Sequence, residues 1–327
     1  MYVLELAGED DRFAAAEAEA AATGVSVLAP GLALAEAVVP ERLRGLAYTH
    51  RASELLGHTD VDVASARALL ETAGFPNVAG TGASTTVAVR ARDVRGTADV
   101  DTREAEHVLG DVLTSLGLAI DLDDPDYELR ALFSGETCAL GWLRVEADRG
   151  FGDRAPTDRP FFQPGSMDPR EARAVANLAG ARSGSIVLDP MCGTAGLLIE
   201  AGLLGADVVG ADAQWKMVRG ARENLAAFLE SDSAVVRADA TRLPLADEAV
   251  DAVVLDVPYG RQSKVAGRGL DSLVAGALAE ARRITGRGVL VADRPCKALA
   301  EEAGWTVADR FERPVHRSLT RHVHVLS

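Results

Sequence analysis

Four apolar segments in the second half of the chain each end in an aspartate, and this repeated pattern constrains the fold more than any other feature. The segments span residues 185–189, 207–212, 234–237 and 252–256, and they end at or run into Asp189, Asp212, Asp239 and Asp256. Helical patterns alternate with them, over residues 197–204, 215–230 and 269–284. Strands that alternate with helices predict a mostly parallel sheet. The carboxyl ends of its strands line one crevice, so we expect the four carboxylates to lie there together.

Three further segments complete this predicted domain. Residues 288–293 read as a fifth strand, and residues 305–311 and 320–326 as an antiparallel pair at the sheet edge. The predicted fold class is therefore α/β, with a doubly wound, Rossmann-like sheet.

A glycine turn follows the first of the four strands and leads into a helix. It contains Pro190, Cys192, Gly193, Thr194 and Gly196. Glycine lets the backbone approach a ligand closely, but the Gly-x-Gly-x-x-Gly pattern of dinucleotide sites is absent. The carboxylate that precedes the turn suits a cationic ligand better than a pyrophosphate. The turn therefore favours S-adenosylmethionine as the cofactor.

Two of the other acids suit the rest of this cofactor. Asp212 lies roughly 20 residues after the glycine turn, where an acid commonly binds ribose hydroxyls. Asp239, beside Ala240, is placed to accept a hydrogen bond from the adenine amine.

The fourth strand ends in Asp256, Val257, Pro258 and Tyr259, and this set suits methylation of an amino group on a nucleic-acid base. An exocyclic amine is a poor nucleophile because its lone pair is delocalised into the ring. The Asp256 carboxylate and the Val257 carbonyl can accept hydrogen bonds from its two N–H groups and so draw the nitrogen toward tetrahedral geometry. Pro258 fixes the backbone, and Tyr259 offers a face on which the base can stack. The base must then be unstacked or flipped.

Each of these features has a simpler explanation when it is taken alone. The tetrapeptide can be a strand that ends in a tight turn, and each acid can be a turn residue or a helix cap. Cys192 is read as a small lining residue, because displacement at a sulfonium methyl needs no enzyme nucleophile. The agreement of four strand ends favours a site over coincidence.

Four motifs together resemble the archaeal THUMP-domain tRNA guanine methyltransferases. They are Asp-Pro-x-Cys-Gly-Thr-x-Gly at residues 189–196, Asp-x-Pro-Tyr at 256–259, Arg-Pro-Phe-Phe-Gln-Pro-Gly-Ser-Met at 159–167 and His-Arg-Ser-Leu-Thr-Arg at 316–321. The resemblance covers essentially the whole chain and is most specific from Arg159 onward. The family pattern usually has proline where this chain has Val257, which keeps the carbonyl but loses the stiffness of the turn.

The resemblance implies a class I S-adenosylmethionine-dependent methyltransferase domain at residues 176–327, behind a linker at 148–175. It also implies an RNA-binding THUMP domain at 51–147 and a ferredoxin-like subdomain at 1–50. The implied reaction converts guanosine 10 of tRNA to its N2-methyl and N2-dimethyl forms without a metal. By position, residues 256–259 would bind the target guanine, and Asp189, Gly193, Asp212 and Asp239 would bind the cofactor.

The first half of the chain predicts small α/β layers. Strands at 2–6, 25–28 and 32–39 and a helix at 11–22 fit the ferredoxin-like subdomain. Helices at 64–73 and 103–116 and strands at 85–91, 127–132 and 137–145 are consistent with a THUMP fold. Arg90, Arg92 and Arg95 are candidate RNA contacts, and a solvated edge strand explains them equally well.

Two further segments have open interpretations. Phe161 and Phe162 either pack the linker or cover the methionine end of the cofactor. The basic tail that includes Arg321 is either a nucleic-acid contact or a polar face of the edge pair. His322 and His324 share a strand face, but no third ligand accompanies them, so no metal is assigned.

The formal net charge of −15 is unusual for a protein expected to bind RNA. Residues 1–160 hold 28 acids and 14 bases, whereas residues 161–327 hold 21 and 20. Only three lysines accompany 31 arginines. Such compositions suit a salt-loaded cytoplasm, so a halophilic archaeal source is predicted. Because salt weakens phosphate contacts, recognition would then depend on shape and stacking.

The sequence shows no apolar run of membrane-spanning length and no secretory signal, and its three cysteines form no Cys-x-x-Cys pair. We therefore expect a cytoplasmic monomer without disulfides or zinc that acts on tRNA. Two other functions stay open. One is methylation of a different exocyclic amine, in ribosomal RNA or DNA. The other is a non-catalytic RNA-binding protein with a decayed methyltransferase domain, which the four intact acids argue against.

Overall fold

The computed structural model describes residues 1–73, 85–230, 233–259 and 268–327. They form two compact units, Met1–Asp148 and Arg149–Ser327. Within these ranges, no helix is both long enough and apolar enough to cross a bilayer.

The first unit is built on a mixed sheet. Its strands are β1 (Tyr2–Leu6), β2 (Ala22–Thr23), β3 (Ser26–Ala29), β4 (Leu32–Ala35), β5 (Ala37–Val38), β6 (Thr49–Asp60), β7 (Thr86–Asp93), β8 (Ala119–Ile120), β9 (Tyr127–Ser134) and β10 (Thr137–Glu146). Its helices are α1 (Asp11–Ala18), α2 (Pro40–Leu43), α3 (Val63–Ala73) and α4 (Thr102–Ser115). Eight strands form one sheet in the order β3-β4-β1-β6-β10-β9-β7-β8, and β2 pairs separately with β5.

Helix α4 shows why the predicted helices of this unit form. The Asp101 carboxylate accepts hydrogen bonds from the backbone N–H groups of Arg103 and Glu104, which caps the helix start. Leu109 and Leu113, four residues apart, lie on one face and are fully buried. They pack in an apolar cluster with residues of α3, β7, β9 and β10.

Helix α1 is shorter than predicted and is not a surface helix throughout. It ends at Ala18, because the chain then tightens into short turns that lead to β2. Its Glu17 is fully buried and accepts the backbone N–H groups of Ala47 and Tyr48 at 2.7 and 2.6 Å.

Strand β6 differs most from the prediction. The predicted boundary between residues 50 and 51 lies within it, and β6 pairs with β1 on one side and β10 on the other. The strand was missed because polar Thr49 and Ser53 are buried, so the usual alternation of apolar and polar residues is absent. The segments predicted to be ferredoxin-like and THUMP therefore share one sheet.

Buried ion pairs connect the same two segments. Glu5 of β1 is 2 % exposed and accepts hydrogen bonds from Nε and Nη2 of Arg130 of β9, at 3.0 and 3.1 Å. Arg92 of β7 lies 3.4 Å from the same carboxylate. Arg51 of β6 lies 4.0 Å from it, so one carboxylate pairs with three arginines beyond the predicted boundary.

The second unit alternates strands and helices. Its strands are β11 (Ile186–Asp189), β12 (Asp207–Asp212), β13 (Ser233–Arg237), β14 (Ala252–Asp256), β15 (Gly288–Ala292), β16 (Val307–His316) and β17 (Leu319–Leu326). Its helices are α5 (Pro169–Ala179), α6 (Gly196–Leu203), α7 (Trp215–Phe228), α8 (Arg268–Ile284) and α9 (Lys297–Glu302). The sheet order is β13-β12-β11-β14-β15-β17-β16. The predicted α/β class and the antiparallel edge pair are confirmed.

The order of this sheet positions the candidate site. Strands β11 to β15 are mutually parallel, and β11 pairs with β12 on one side and β14 on the other. Successive strands are therefore added on one side of β11 up to β13 and on the other side from β14 onward. Ligands bind at such a reversal of strand order in open α/β sheets. Helix α5 begins inside the predicted linker, and its Ala172, Val175 and Ala176 are fully buried, so it is part of this unit.

We predict that Glu5→Ala destabilises the first unit, because the buried Arg130 would lose its buried carboxylate partner and keep only Glu128. Breaking a buried ion pair from one side typically costs about 3 to 5 kcal/mol. Urea unfolding, followed by circular dichroism, measures the change in the free energy of unfolding. Glu71→Ala is the matched control, since it removes an exposed i,i+4 pair with Arg67 and should leave the transition almost unchanged. Equal transitions for the two variants would contradict the proposed contribution of Glu5.

Candidate active site

Two adjoining cavities open at the carboxyl ends of the parallel strands, and every residue predicted for the site lies in their lining. The smaller has a volume of about 190 Å³ and the larger about 780 Å³. The smaller is lined by Asp189, Cys192, Gly193, Thr194, Gly196 and Asp256. The larger is lined by Pro190, Gly193, Asp212, Asp239, Ala240, Asp256, Val257, Pro258 and Tyr259.

Asp189 ends β11 and is 2 % exposed. Its Oδ1 accepts a hydrogen bond from the Met191 N–H at 3.0 Å. Burial raises the pKa of this carboxyl well above its usual value, and the carboxylates of Asp256 and Asp212 raise it further. These three strand ends therefore interact electrostatically, and a cation among them would lower the energy of all three.

The turn after β11 is shaped by backbone conformation. Gly193 has φ +52°, and a Cβ there would meet no atom nearer than the Met191 carbonyl oxygen at 4.0 Å. Space is therefore left open beside its backbone. Ala195 has φ +63°, an uncommon left-handed conformation for a residue with a side chain. At Gly196 the reason for glycine differs from the prediction, because a Cβ would lie 2.8 Å from Nη1 of Arg159.

Asp212 and Asp239 lie at the ends of the neighbouring strands. Asp212 accepts backbone N–H groups from Gly193 and Gln214, at 3.2 and 2.8 Å, and burial raises the pKa of its carboxyl. Asp239 is exposed. Hydrogen bonds from the Thr241 backbone and hydroxyl lower the pKa of Asp239. Each of these carboxylates retains lone pairs for a ligand's hydroxyl or amine.

A chain of three side chains crosses the site at the end of β14. The Tyr259 hydroxyl donates to Oδ1 of Asp256 at 2.7 Å and accepts from Nε of Arg321 at 3.0 Å. Burial raises the pKa of Asp256, while the positive charge of Arg321 opposes that rise. Burial alone would lower the pKa of Arg321, but Tyr259 and Asp256 raise it above its ordinary value.

Sequence reasoning missed the role of Arg321. It lies 62 residues from Tyr259 and is 5 % exposed, so it is not a surface contact of a basic tail. Its place at the end of the His-Arg-Ser-Leu-Thr-Arg motif was the signal available. His324 is also buried, and its Nε2 accepts the Cys296 N–H at 3.1 Å. Neither residue is on the polar face that the sequence indicated.

Val257 replaces the proline of the family pattern, and the sheet holds its backbone. Its N–H donates to the Val291 carbonyl at 3.1 Å, and the residue is 2 % exposed. A proline could not make this hydrogen bond. The pairing of β14 with β15 thus continues through Val257 and restrains the turn.

Residues 159–167, here called the strap, contribute one wall of the cavities. Residues 163–167 line the smaller cavity, whereas Phe161 and Phe162 are not part of its lining. Asn224 of α7 is fully buried and bonds both the N–H and the carbonyl of Phe161, each at 2.8 Å. It also donates to the Thr194 carbonyl at 2.9 Å, which joins the strap to the glycine turn. A Cβ at Gly220 would lie 2.0 Å from the Phe161 ring.

The arginines of the first unit that were predicted to contact RNA form ion pairs with carboxylates. Arg90 pairs with Glu128 at 3.8 Å, Arg92 with Glu5 at 3.4 Å and Arg95 with Asp11 at 2.5 Å. Nothing in their contacts indicates an open phosphate site. In the described part of the chain, no group of three or more histidine, cysteine, aspartate or glutamate side chains is arranged to hold a metal.

The donor set fits S-adenosylmethionine. Three interacting carboxylates favour a cationic ligand over an anionic one. The open space beside Gly193 and the lone pairs of Asp212 suit a close approach by a sugar. The larger cavity, of about 780 Å³, is within the range for sites of this ligand size.

Comparison with known proteins identifies the domain. Residues 156–322 match the family model of the RMKL-like methyltransferase domain. A tRNA (guanine(10)-N2)-dimethyltransferase from Methanothermobacter thermautotrophicus is 37 % identical over 289 residues, which cover 86 % of this chain and 83 % of the relative. A tRNA (guanine(6)-N2)-methyltransferase from Thermus thermophilus is 32 % identical over 68 % of this chain and 66 % of the relative.

A solved structure agrees over the full length. TrmN from Thermus thermophilus superposes with a TM-score of 0.51 at 26 % identity, covering 100 % of this chain and 99 % of that one. The second unit therefore has the class I methyltransferase fold, and S-adenosylmethionine is its cofactor. The chain belongs to the family of archaeal tRNA (guanine(10)-N2)-dimethyltransferases.

Proposed function

We propose that this protein transfers methyl groups from S-adenosylmethionine to the exocyclic amine of guanosine 10 in tRNA, giving N2-methyl- and then N2-dimethylguanosine. The observation that carries the proposal is the position of the Asp256 carboxylate. It lies at the switch point of the sheet and lines both cavities, and its charge raises the pKa of Asp189. A base amine and a methyl donor would meet at this residue.

The site residues supply acceptors, orientation and charge. The cofactor supplies an electrophilic methyl group on a sulfonium. The Asp256 carboxylate is proposed to accept a hydrogen bond from one N–H of the amine, and the Val257 carbonyl one from the other. The nitrogen lone pair is then less delocalised into the ring and is available to the methyl group. Transfer would form an N–C bond and break the S–CH3 bond of the sulfonium, leaving a neutral thioether, and Asp256 is the proposed acceptor of the proton that the amine would lose. Tyr259 holds that carboxylate through its hydroxyl and offers its ring to the base.

Asp189, Asp212 and Asp239 are proposed to hold the cofactor, in the roles that their positions indicate. The pKa of Asp189 is raised more by the charge of Asp256 than by that of Asp212, and Asp189 suits the cationic end of the ligand. Asp212, bound to the glycine turn, suits the ribose hydroxyls. Asp239 and Ala240 line the larger cavity only and suit the adenine.

The first unit is proposed to bind tRNA as a ferredoxin-like and THUMP region. This proposal is supported by the sheet with α3 and α4 packed on it, and by the domain order that the resemblance implies. A monomer is proposed as the oligomeric state. A cytoplasmic location is proposed because tRNA is the substrate.

Asp256→Asn tests the proposed acceptor. The variant keeps the size of the side chain and removes its charge, so methylation of a tRNA transcript should fall by roughly 10²- to 10⁴-fold. Mass spectrometry of nucleosides, after incubation with isotope-labelled cofactor, measures the product. Asp247→Asn is the matched control, since Asp247 is an exposed acid paired with Arg283.

The position of the methyl group is tested separately. A transcript with adenosine at position 10 should lose the modification, and a transcript altered at guanosine 6 should keep it. Modification that follows guanosine 6 would replace the proposed target. Unmodified guanosine in every wild-type reaction would refute the proposed function.

We predict that Arg321→Gln moves the acid limb of the pH–rate profile to higher pH. Asp256 must be ionised to accept the amine N–H, so activity is lost as the pH falls through its raised pKa. Arg321 opposes that rise, and its removal therefore raises the pKa of Asp256 further. The measurement is kcat/KM for tRNA between about pH 5 and 9. A profile that falls in height without moving along the pH axis would assign Arg321 a packing role alone.

The acidic composition predicts a salt requirement. By residue type, the first unit holds 26 acids and 11 bases, and the second holds 23 of each. Self-repulsion within the first unit should be relieved as salt screens it, above about 0.1 M, where the Debye length is about 10 Å. We therefore expect methylation and thermal stability to rise as KCl increases beyond that concentration. An activity maximum below about 0.1 M KCl would refute the halophilic assignment.

A further inference from the structure

A cluster of exposed cations surrounds an exposed tryptophan on the second unit. It consists of Trp215, Lys216, Arg219 and Arg222 of α7 and Arg237 of β13, and we call it the α7 patch. Trp215 is 51 % exposed, whereas the chain's other tryptophans, Trp142 and Trp305, are 1 % and 3 % exposed. An exposed tryptophan with cations around it is a feature of nucleic-acid-binding surfaces.

The cations of the α7 patch differ from the other arginines in what they contact. In the described part of the chain, none of the four forms an ion pair with a carboxylate. Arg222 donates from Nε to the Val235 carbonyl at 3.1 Å, and Arg237 to the Ala213 carbonyl at 3.0 Å. These neutral partners leave the positive charge uncompensated. Helix α7 itself carries one acid, Glu223, against three cations.

The same contacts hold the patch in shape. Arg222 lies over the Trp215 ring, with its guanidinium carbon 5.8 Å from the ring centroid. Its bond to Val235 ties that guanidinium to the edge strand β13, the outermost strand of the sheet. Arg237 is tied to Ala213, two residues before Trp215. The Trp215 ring therefore lies against one fixed guanidinium group, that of Arg222, while half of its surface stays open.

The patch borders the proposed site. Ala213, Gln214 and Met217 line the larger cavity, and they belong to the same turn and first helical turn as Trp215. The patch is thus continuous with the rim of the cavity in which the target base is proposed to bind.

We propose that the α7 patch binds the unpaired RNA nucleotides next to the target base, with one base stacked on Trp215 and the phosphates on Lys216 and Arg219. This inference rests on the proposed function. Stacking tolerates high salt better than phosphate contacts do, which suits a chain of net charge −15. The ligand is RNA in single-stranded form, because a buried duplex base offers no free face to an aromatic ring.

The test compares tRNA binding by the full-length protein and its variants in the presence of S-adenosylhomocysteine. Trp215→Ala should weaken binding roughly 5- to 100-fold, and Trp215→Phe should retain most of the affinity. The double variant Lys216→Gln, Arg219→Gln should reduce the slope of log Kd against log salt by about 1 to 2. Arg222 and Arg237 are left intact because they hold the backbone. Lys297→Gln is the matched control, since Lys297 is an exposed helical lysine paired with Glu301.

Kinetics and cofactor binding separate the outcomes. We expect KM for tRNA to rise in the Trp215→Ala variant, with kcat and the calorimetric affinity for S-adenosylhomocysteine unchanged. Loss of cofactor affinity would assign Trp215 to the cofactor cavity and overturn the inference. Unchanged tRNA affinity would also overturn it and would leave the patch to a protein partner. If the wild type binds tRNA but does not methylate it, the proposed function fails, and the binding series still decides the patch.

Discussion

Carboxylates buried at the ends of parallel strands are the constraint on which the rest of the site depends. Asp189 is nearly inaccessible to water, and the charges of Asp212 and Asp256 make its ionised form still less favourable. Burying unpaired charge is costly unless a partner compensates it. The strand order forces the three acids into one crevice, since β11 lies between β12 and β14. A cavity with this charge favours a cation over a neutral molecule of the same shape, so we expect it to bind the methyl donor more tightly than the demethylated product.

One cation inside the protein limits this cost at the catalytic end. Arg321 comes from β17, an antiparallel strand at the edge of the sheet, and it reaches Asp256 through the Tyr259 hydroxyl. The edge pair therefore does more than close the sheet. A carboxylate that must stay ionised while half-buried needs a fixed positive charge nearby, and a direct ion pair would occupy the oxygens required by the amine. The Tyr259 hydroxyl between them takes one position on Oδ1, and the charge of Arg321 stabilises the carboxylate from beyond it.

The sequence predicted the parts of this site that are local. Each acid was visible at the end of an apolar strand, and the alternation of strands and helices indicated their common edge. Arg321 was not predictable, because its contact with Tyr259 depends on the order in which β15, β17 and β16 pair. The left-handed conformation of Ala195 was not predictable either, because an alanine in the sequence does not indicate a positive φ. In the first unit, β6 was missed because buried polar residues removed the apolar alternation, and that omission produced a boundary inside a strand.

Helix α7 shows how one amphipathic element can serve both substrates. Its inner face holds Val218, Ala221 and Leu225 in the core, at the 3- and 4-residue spacing of a buried helix stripe. On the same side, Asn224 binds the strap and the glycine turn, so the helix sets the wall of the cofactor cavity. Its outer face carries the exposed Trp215 and its cations. Because a helix is rigid over four turns, the RNA-facing surface and the cavity wall keep a fixed separation, and a base that enters the cavity is positioned relative to both.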